Sequence, residues 1–361
     1  MATKWTALFC LVALVVGLVI GHFAWSHPAA GRSETLVIYH AGSLSVPFEL
    51  LADEFERTHP TVDVLCESAG SAATIRKVTE LGKTCDIIGS ADYTLIPNMM
   101  YPDYADWYIA FARNEIVLGY RDGAPFADEI ASGSRTWYDV LLNEDVTYGH
   151  SNPDLDPCGY RALMVCQLAQ YYYYDQAGIN FSNTPDPDAD GLYNALIHGS
   201  GMEQGRYSID REVVRPKEVD LLALMEAGEL DYMLQYKSVC VQHDIEYIEL
   251  APQISLSQTG EIPDSTIGQR YEGEDGFYWE AMVVIVGSSP GTEQEIHGKP
   301  IVYGITIPKN APNPERAAEF VNLLLSEKGR QIMTDICGQP SVYPAQCDNP
   351  ENLPIWVEAA P

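Results

Sequence analysis

Residues 36–55 read LVIYHAGSLSVPFELLADEF. The run LVIY has the length and composition of a short buried strand. Val46, Phe48, Leu51 and Phe55 then recur at helical spacing until His59-Pro60 stops the helix. Between the two lies HAGSLS, a Gly-Ser loop at the mouth of a strand. The same unit returns as VDVLCES, AGSAA, TIRKVTEL and again as CDIIG, SADY, TLIPNMM. Three consecutive strand, loop and helix units predict an α/β domain with a mainly parallel sheet. In such sheets ligands collect outside the carboxyl ends of the strands, where the three loops would converge.

WYIAFARNEIVLGYR, residues 107–121, has strand-like apolar runs without strong turn signals, as expected of a strand passing from one domain to another. A second α/β set follows. VTYGHS reads as a strand leading into DPCGYRALMVCQLAQYYYY, where Asp156 is suited to cap a helix and Pro157 to open it. EVDLLALMEAG reads as a helix ended by Gly228, and ELDYMLQY as the next strand. DQAGINFSNTPDPDADG between them has loop composition. Late in the chain a strand, KPIVYGITIPKN, and a helix, PERAAEFVNLLLSEKG, suggest a return to the first lobe. The expectation is a two-lobed α/β protein with a cleft: residues 34–115 and 300–361 in lobe I, and residues 116–299 in lobe II.

Residues 1–33 stand apart. One Lys precedes an almost unbroken apolar stretch over residues 7–24, the pattern of a signal peptide or N-terminal membrane anchor. Cleavage and retention are both open, and export is expected either way, with the protein secreted or tethered at the cell surface. The chain of 361 residues carries a formal charge of −30, with 13 Arg and only 8 Lys among its basic residues. That balance excludes nucleic acid as a partner, since phosphate binding needs a basic footprint. Seven cysteines follow the leader, without the C-x-x-C spacing of a zinc site. Export permits disulfides, and Cys337 with Cys347 enclose a loop that a bridge could staple.

Helix N-termini present unpaired N–H groups and a positive dipole end, hence an anion site. Gly lets the backbone approach closely, and a Ser hydroxyl adds a neutral donor. Ser43, Ser71 and Ser90 are therefore candidates to hold an anion. Each Ser could equally cap its own helix. In a protein of such negative charge, local neutral donors must do the holding.

The blocks HAGSL, AGSAATIRKVTELG, ADYTLIPNMMYPDYADWYIAFARNEIVLGYR, SNPDLDPCGYR, GELDYMLQYKSV and GKPIVYGITIPKNA resemble the tungstate/molybdate-binding proteins of archaeal ABC transporters, the WtpA/ModA type. The likeness runs from about residue 36 to about residue 339. It implies the two-lobed periplasmic-binding-protein fold of class II and the capture of an oxyanion, tungstate or molybdate, for an ABC permease and its ATPase. It implies no enzyme activity, no cofactor and a monomer. It also implies that Ser43 and Ser71 contact the oxyanion oxygens, that Tyr236 donates to one of them, and that Asp156 and Glu218 ligate the tungsten or molybdenum centre itself. Glu218 lies in PKEVDLL, a looser match than its surroundings, and Glu212 is the fallback.

Two carboxylates beside a dianion repel it unless they bind a Lewis-acidic centre directly. Tungsten or molybdenum in its highest oxidation state accepts extra oxygen ligands, whereas the sulfur of sulfate does not. Selectivity against sulfate is the expected consequence. Read from the residues alone, Asp156 is a helix cap and Glu218 a first-turn acid favoured by the dipole. Two other functions compete: a binding protein for another oxyanion such as sulfate or phosphate, or a sensor for this or another oxyanion, and a divalent-metal hydrolase using the same two acids. The second lacks an H-E-x-x-H, a histidine cluster, a Gly-x-Ser-x-Gly elbow and a P-loop.

Overall fold

In a computed structural model that describes residues 34–176, 192–197, 211–257, 277–287 and 291–358, thirteen strands form two large sheets and a hairpin. In chain order they are β1 (Glu34–Ala41), β2 (Val62–Ala69), β3 (Ile87–Ser90), β4 (Ile109–Asn114), β5 (Ile116–Tyr120), β6 (Tyr148–Ser151), β7 (Glu212–Arg215), β8 (Tyr232–Tyr236), β9 (Glu246–Glu249), β10 (Met282–Val286), β11 (Glu293–His297), β12 (Ile301–Thr306) and β13 (Ser341–Cys347). The first sheet has the order β13-β4-β12-β3-β1-β2 and the second β7-β6-β8-β5-β9. The apolar leader and the loop DQAGINFSNTPDPDADG, but for its first two residues, lie outside the described residues, among which no helix is long and apolar enough to cross a membrane.

The expected two-lobed α/β arrangement is present, but its sheets are mixed instead of mainly parallel. β1 runs parallel to β2 and β3, whereas β12 enters antiparallel between β3 and β4. The reason is the path of the chain. β1 and β3 run toward the junction between the lobes, and β12 starts there when the chain returns, so it runs away from it. The second sheet repeats the design, with β6 parallel to β7 and β8, and β5 antiparallel to β8 and β9. The expected crossing strand is realised as β4 and β5, one in each sheet, separated by Glu115 alone.

The helix Ser45–Thr58 buries Pro47, Phe48, Leu51, Ala52 and Phe55 on one face. Phe48 and Phe55 meet Phe320 of the late helix Pro314–Leu325 with ring centroids 5.9 and 5.6 Å apart. Each buried Phe contributes roughly 1.5–3 kcal/mol. This contact fastens the end of the chain to its first lobe. The seven cysteines of the described residues are free thiols, so the expected staple between Cys337 and Cys347 is absent. Cys337 is buried in the core, whereas Cys347 is held in the β13 ladder opposite Ile109. In the tyrosine run, Tyr173 packs on Tyr138 and accepts from the Trp137 indole N–H, a structural role.

Candidate functional site

The Gly-Ser loops after β1 and β2 face the second lobe. The helix Ser71–Thr79 begins directly after β2, and a short 3-10 turn, Gly42–Leu44, leads from β1 into Ser45–Thr58. Neither Ser43 nor Ser71 caps its own helix. Both are fully buried and turned to other partners. Ser90 does behave as the bland alternative: its hydroxyl donates to the Asp92 carbonyl at 2.6 Å and closes its own turn.

Gly42 and Gly70 of lobe I are each approached by one lobe II acid. A Cβ on Gly42 would lie 2.8 Å from both carboxylate oxygens of Glu218, and a Cβ on Gly70 would lie 2.1 Å from the Leu155 carbonyl oxygen and 3.0 Å from the Asp156 Cβ. Only glycine admits such approaches. Gly70 itself has φ −61° and ψ 145°, which any residue adopts, so space and not backbone conformation makes it glycine.

Asp156 precedes the helix Pro157–Gln176, and Glu218 opens the 3-10 turn Glu218–Leu221. The Glu218 amide donates to Asp156 Oδ2 at 2.9 Å, and the Cys158 amide to Oδ1 at 3.3 Å. Asp156 thus serves as a helix cap and as a clasp on Glu218. Glu218 is fully buried, and neither of its carboxylate oxygens completes a hydrogen bond. Burial, then the neighbouring Asp156 charge, pushes its carboxyl well above the ordinary range, against the pull of the Ser43 amide. Burial also raises Asp156, opposed by Ser151 and by its backbone donors. The fallback acid, Glu212, is elsewhere: it stands on β7 and pairs with buried His150 at 3.0 Å.

Three hydroxyls share one feature. Ser71 Oγ accepts from the Ala91 amide at 2.9 Å. Tyr236 Oη accepts from Arg161 Nη1 at 2.7 Å. Ser43 Oγ meets Tyr303 Oη at 2.8 Å, and Tyr303 Oη in turn accepts from Asn114 Nδ2 at 3.0 Å. In each case the oxygen is engaged from inside the protein; the Ser71 and Tyr236 protons are thereby left to donate, whereas in the Ser43–Tyr303 pair either hydroxyl can be the donor. Burial pushes the Tyr236 phenol well up, so it stays protonated.

Contacts join all five expected residues into one ring. Ser43 meets Tyr303, whose ring lies 6.0 Å from that of Tyr236. Tyr236 meets Arg161, which also donates to the Ala91 carbonyl, while the Ala91 amide holds Ser71. Ser71 adjoins Gly70 against Asp156, Asp156 clasps Glu218, and Glu218 faces Gly42 beside Ser43. The lobes are in contact around this ring. Tyr160 of lobe II donates to Asp92 of lobe I at 2.7 Å, and Arg76 to the Asp154 carbonyl at 2.9 Å.

Sequence reading missed Arg161, Asn114, Tyr303 and Ser151. Arg161, 2% exposed, completes no hydrogen bond through Nη2, which forms an ion pair with Asp92 at 3.4 Å. Ser151, at the end of β6, is buried beside Asp156 with its hydroxyl oxygen unpartnered. One signal for Arg161 was available: a lone Arg within the apolar helical run CGYRALMVCQLA needs a buried partner. Among the described residues no group of three or more His, Cys, Asp or Glu could hold a metal ion.

Two α/β lobes joined at a hinge, closing on a buried ring of donors and acids, define a solute-binding protein. Residues 36–335 match the family of bacterial extracellular solute-binding proteins, and the chain belongs to that family. It is 43% identical over 319 residues to an uncharacterized solute-binding protein of Petrotoga mobilis, covering 88% of this chain and 87% of that one. It is 39% identical over 327 residues to the molybdate/tungstate-binding protein WtpA of Pyrococcus abyssi, covering 89% of each. The WtpA of Thermococcus kodakarensis is 38% identical over 336 residues, covering 91% of this chain and 89% of its own. Among solved structures, the periplasmic molybdate-binding protein of Azotobacter vinelandii shares the fold with a TM-score of 0.52 at 15% identity, over 86% of this chain and 99% of that one.

Proposed function

We propose that this protein captures molybdate or tungstate outside the cytoplasmic membrane and delivers it to an ABC permease and its ATPase, as a monomer and without turnover. The observation that carries the reading is the acid pair. Asp156 and Glu218 are buried together, the Glu218 carboxylate has no hydrogen-bond partner, and outward-donating hydroxyls stand on the same ring.

Hydroxyls alone would suit any oxyanion. The acids narrow the choice, since a carboxylate aimed at an oxyanion repels it unless the central atom accepts the carboxylate oxygen as a ligand. Molybdenum and tungsten do so, and sulfur does not. Ser43, Ser71 and Tyr236 would then hold the oxyanion oxygens, while Asp156 and Glu218 bind the metal centre. The two WtpA relatives, named for the same two anions, support this reading.

The test is calorimetric titration of the purified protein with tungstate, molybdate, sulfate and phosphate. Tight binding of the first two and none of the last two is expected, and a preference for sulfate or phosphate would overturn the reading.

A further inference from the structure

We infer that Asn114, at the hinge, sets the direction of the hydrogen bond that Ser43 offers to the bound anion, through Tyr303. The inference rests on Ser43 being an anion contact, as proposed above, and names two positioning residues behind it.

The direction follows from what each group can donate. The Asn114 Oδ1 faces two backbone N–H groups, those of Glu115 at 3.0 Å and Ser238 at 3.3 Å. These can only donate, so the amide orientation is fixed and Nδ2 is the end that meets Tyr303 Oη at 3.0 Å. An NH2 group has no lone pair to offer, so the Tyr303 oxygen must accept. The Tyr303 oxygen has a second lone pair, but its buried proton needs an acceptor, and Ser43 Oγ stands at 2.8 Å to take it. Ser43 Oγ accepts in its turn, and its own proton points out of the relay. A donor-only group at one end thus makes Ser43 a donor at the other.

The position of Asn114 gives the relay a second property. Asn114 ends β4 in the first sheet, and its Nδ2 also donates to Ser238 Oγ at 2.7 Å, in the helix Lys237–Gln242 of the second lobe. Ser43 and Tyr303 belong to the first. All four side chains are buried, Asn114 at 6% exposure and the others at 0%. One amide therefore ties the hinge, the second lobe and the recognition hydroxyl together. Had residue 114 been Asp, its carboxylate could only accept. The Tyr303 proton would turn toward it, and Ser43 would have to donate back into the protein, presenting lone pairs to an anion.

The experiment first determines which of tungstate, molybdate, sulfate and phosphate the full-length wild type binds most tightly. That anion then serves as the probe for Asn114→Asp, Ser43→Ala and the double variant. Asn114→Asp is expected to lower affinity by about 10- to 100-fold, the range of one hydrogen bond to a charged group. In the Ser43→Ala background the same substitution is expected to cost at least tenfold less, since only the effect of the added charge is left. Equal costs in both backgrounds would overturn the relay. Where Asn114→Asp does not fold, Tyr303→Phe takes its place in the same cycle under the same criterion. A wild type that prefers sulfate overturns the proposed solute but still decides the relay, and one that binds none of the four overturns both.

Discussion

Gly70→Ala separates closing from folding, because the glycine is required only by what approaches it. Its φ of −61° and ψ of 145° suit alanine, so the substitution carries no backbone strain. In the open form it is expected to stabilise the protein by about 0.4–1 kcal/mol, through a less flexible unfolded chain. In the closed form the new methyl would stand 2.1 Å from the Leu155 carbonyl oxygen, and ordinary contact at 3.4 Å asks for a displacement of about 1.3 Å. The atom in the way is backbone, so no side chain can swing aside.

The cross-lobe bond from the Ala73 amide to the Leu155 carbonyl, already 3.4 Å long, would be lost, and Asp156 would recede with its neighbour. Overpacking of this size costs about 1–3 kcal/mol. That corresponds to roughly 5- to 150-fold weaker binding of tungstate or molybdate. Calorimetry gives the affinity and differential scanning calorimetry the ligand-free melting temperature. The expected pattern is weaker binding with an unchanged or higher melting temperature. Affinity equal to that of the wild type would refute the claim that Gly70 marks a closing contact, and so would a melting temperature that fell in proportion to the affinity.

Three further outcomes are expected. Glu218→Gln should shift the ligand-free protein toward the closed form at pH 8, read as a smaller radius of gyration by small-angle scattering. The folded-state carboxyl lies well above its ordinary 4.5, so its burial is tolerated below about pH 4.5 and grows costlier as pH rises; a gap to the wild type that failed to close toward that pH would count against this. Asp92 behaves in the opposite sense. Burial would push it up, but Lys299 and Arg161, with the Tyr160 and Thr94 hydroxyls, hold it at about 2, so its stabilisation is present above its ordinary 3.8 and lost as pH falls toward 2. Asp92→Asn should therefore cost about 2 kcal/mol in urea unfolding at pH 7, with the deficit shrinking below pH 4, and a pH-independent deficit would contradict the assignment. Asp156→Ala and Glu218→Ala should each weaken tungstate binding by at least 100-fold, and Ser43→Ala by about 10- to 100-fold. Unchanged affinity in both acid variants would mean that helix caps had been mistaken for ligands.

The two lobes were legible because strand, loop and helix units leave a local pattern, as in LVIYHAGSLS and VTYGHS. The mixed sheets were not, since the antiparallel entry of β12 depends on where the chain returns and not on the residues of the strand. The same division runs through the site. Ser43, Ser71 and the glycines before them were readable as a loop type, but their hydroxyl partners Tyr303 and Ala91 lie 260 and 20 positions away. Asn114 escaped notice because its amide acts on Tyr303, 189 positions on, inside a stretch that reads only as a strand.

That distance explains why the Gly-Ser loop looked ambiguous. The loop HAGSLS is compatible with a helix start in any α/β protein, and Ser43 is compatible with a cap. What separates the two is the oxygen's internal partner. A capping hydroxyl spends its lone pair on its own helix amides, whereas Ser43 takes a proton from Tyr303 and Ser71 takes one from the Ala91 amide. The helices are left uncapped by side chains, at a cost of about 1 kcal/mol each. Selection for stability alone would have turned both hydroxyls inward. Their orientation, with Gly42 and Gly70 cleared for Glu218 and for Leu155 and Asp156, is what a site needs when its ligand's oxygens must be held by neutral donors and its centre by acids.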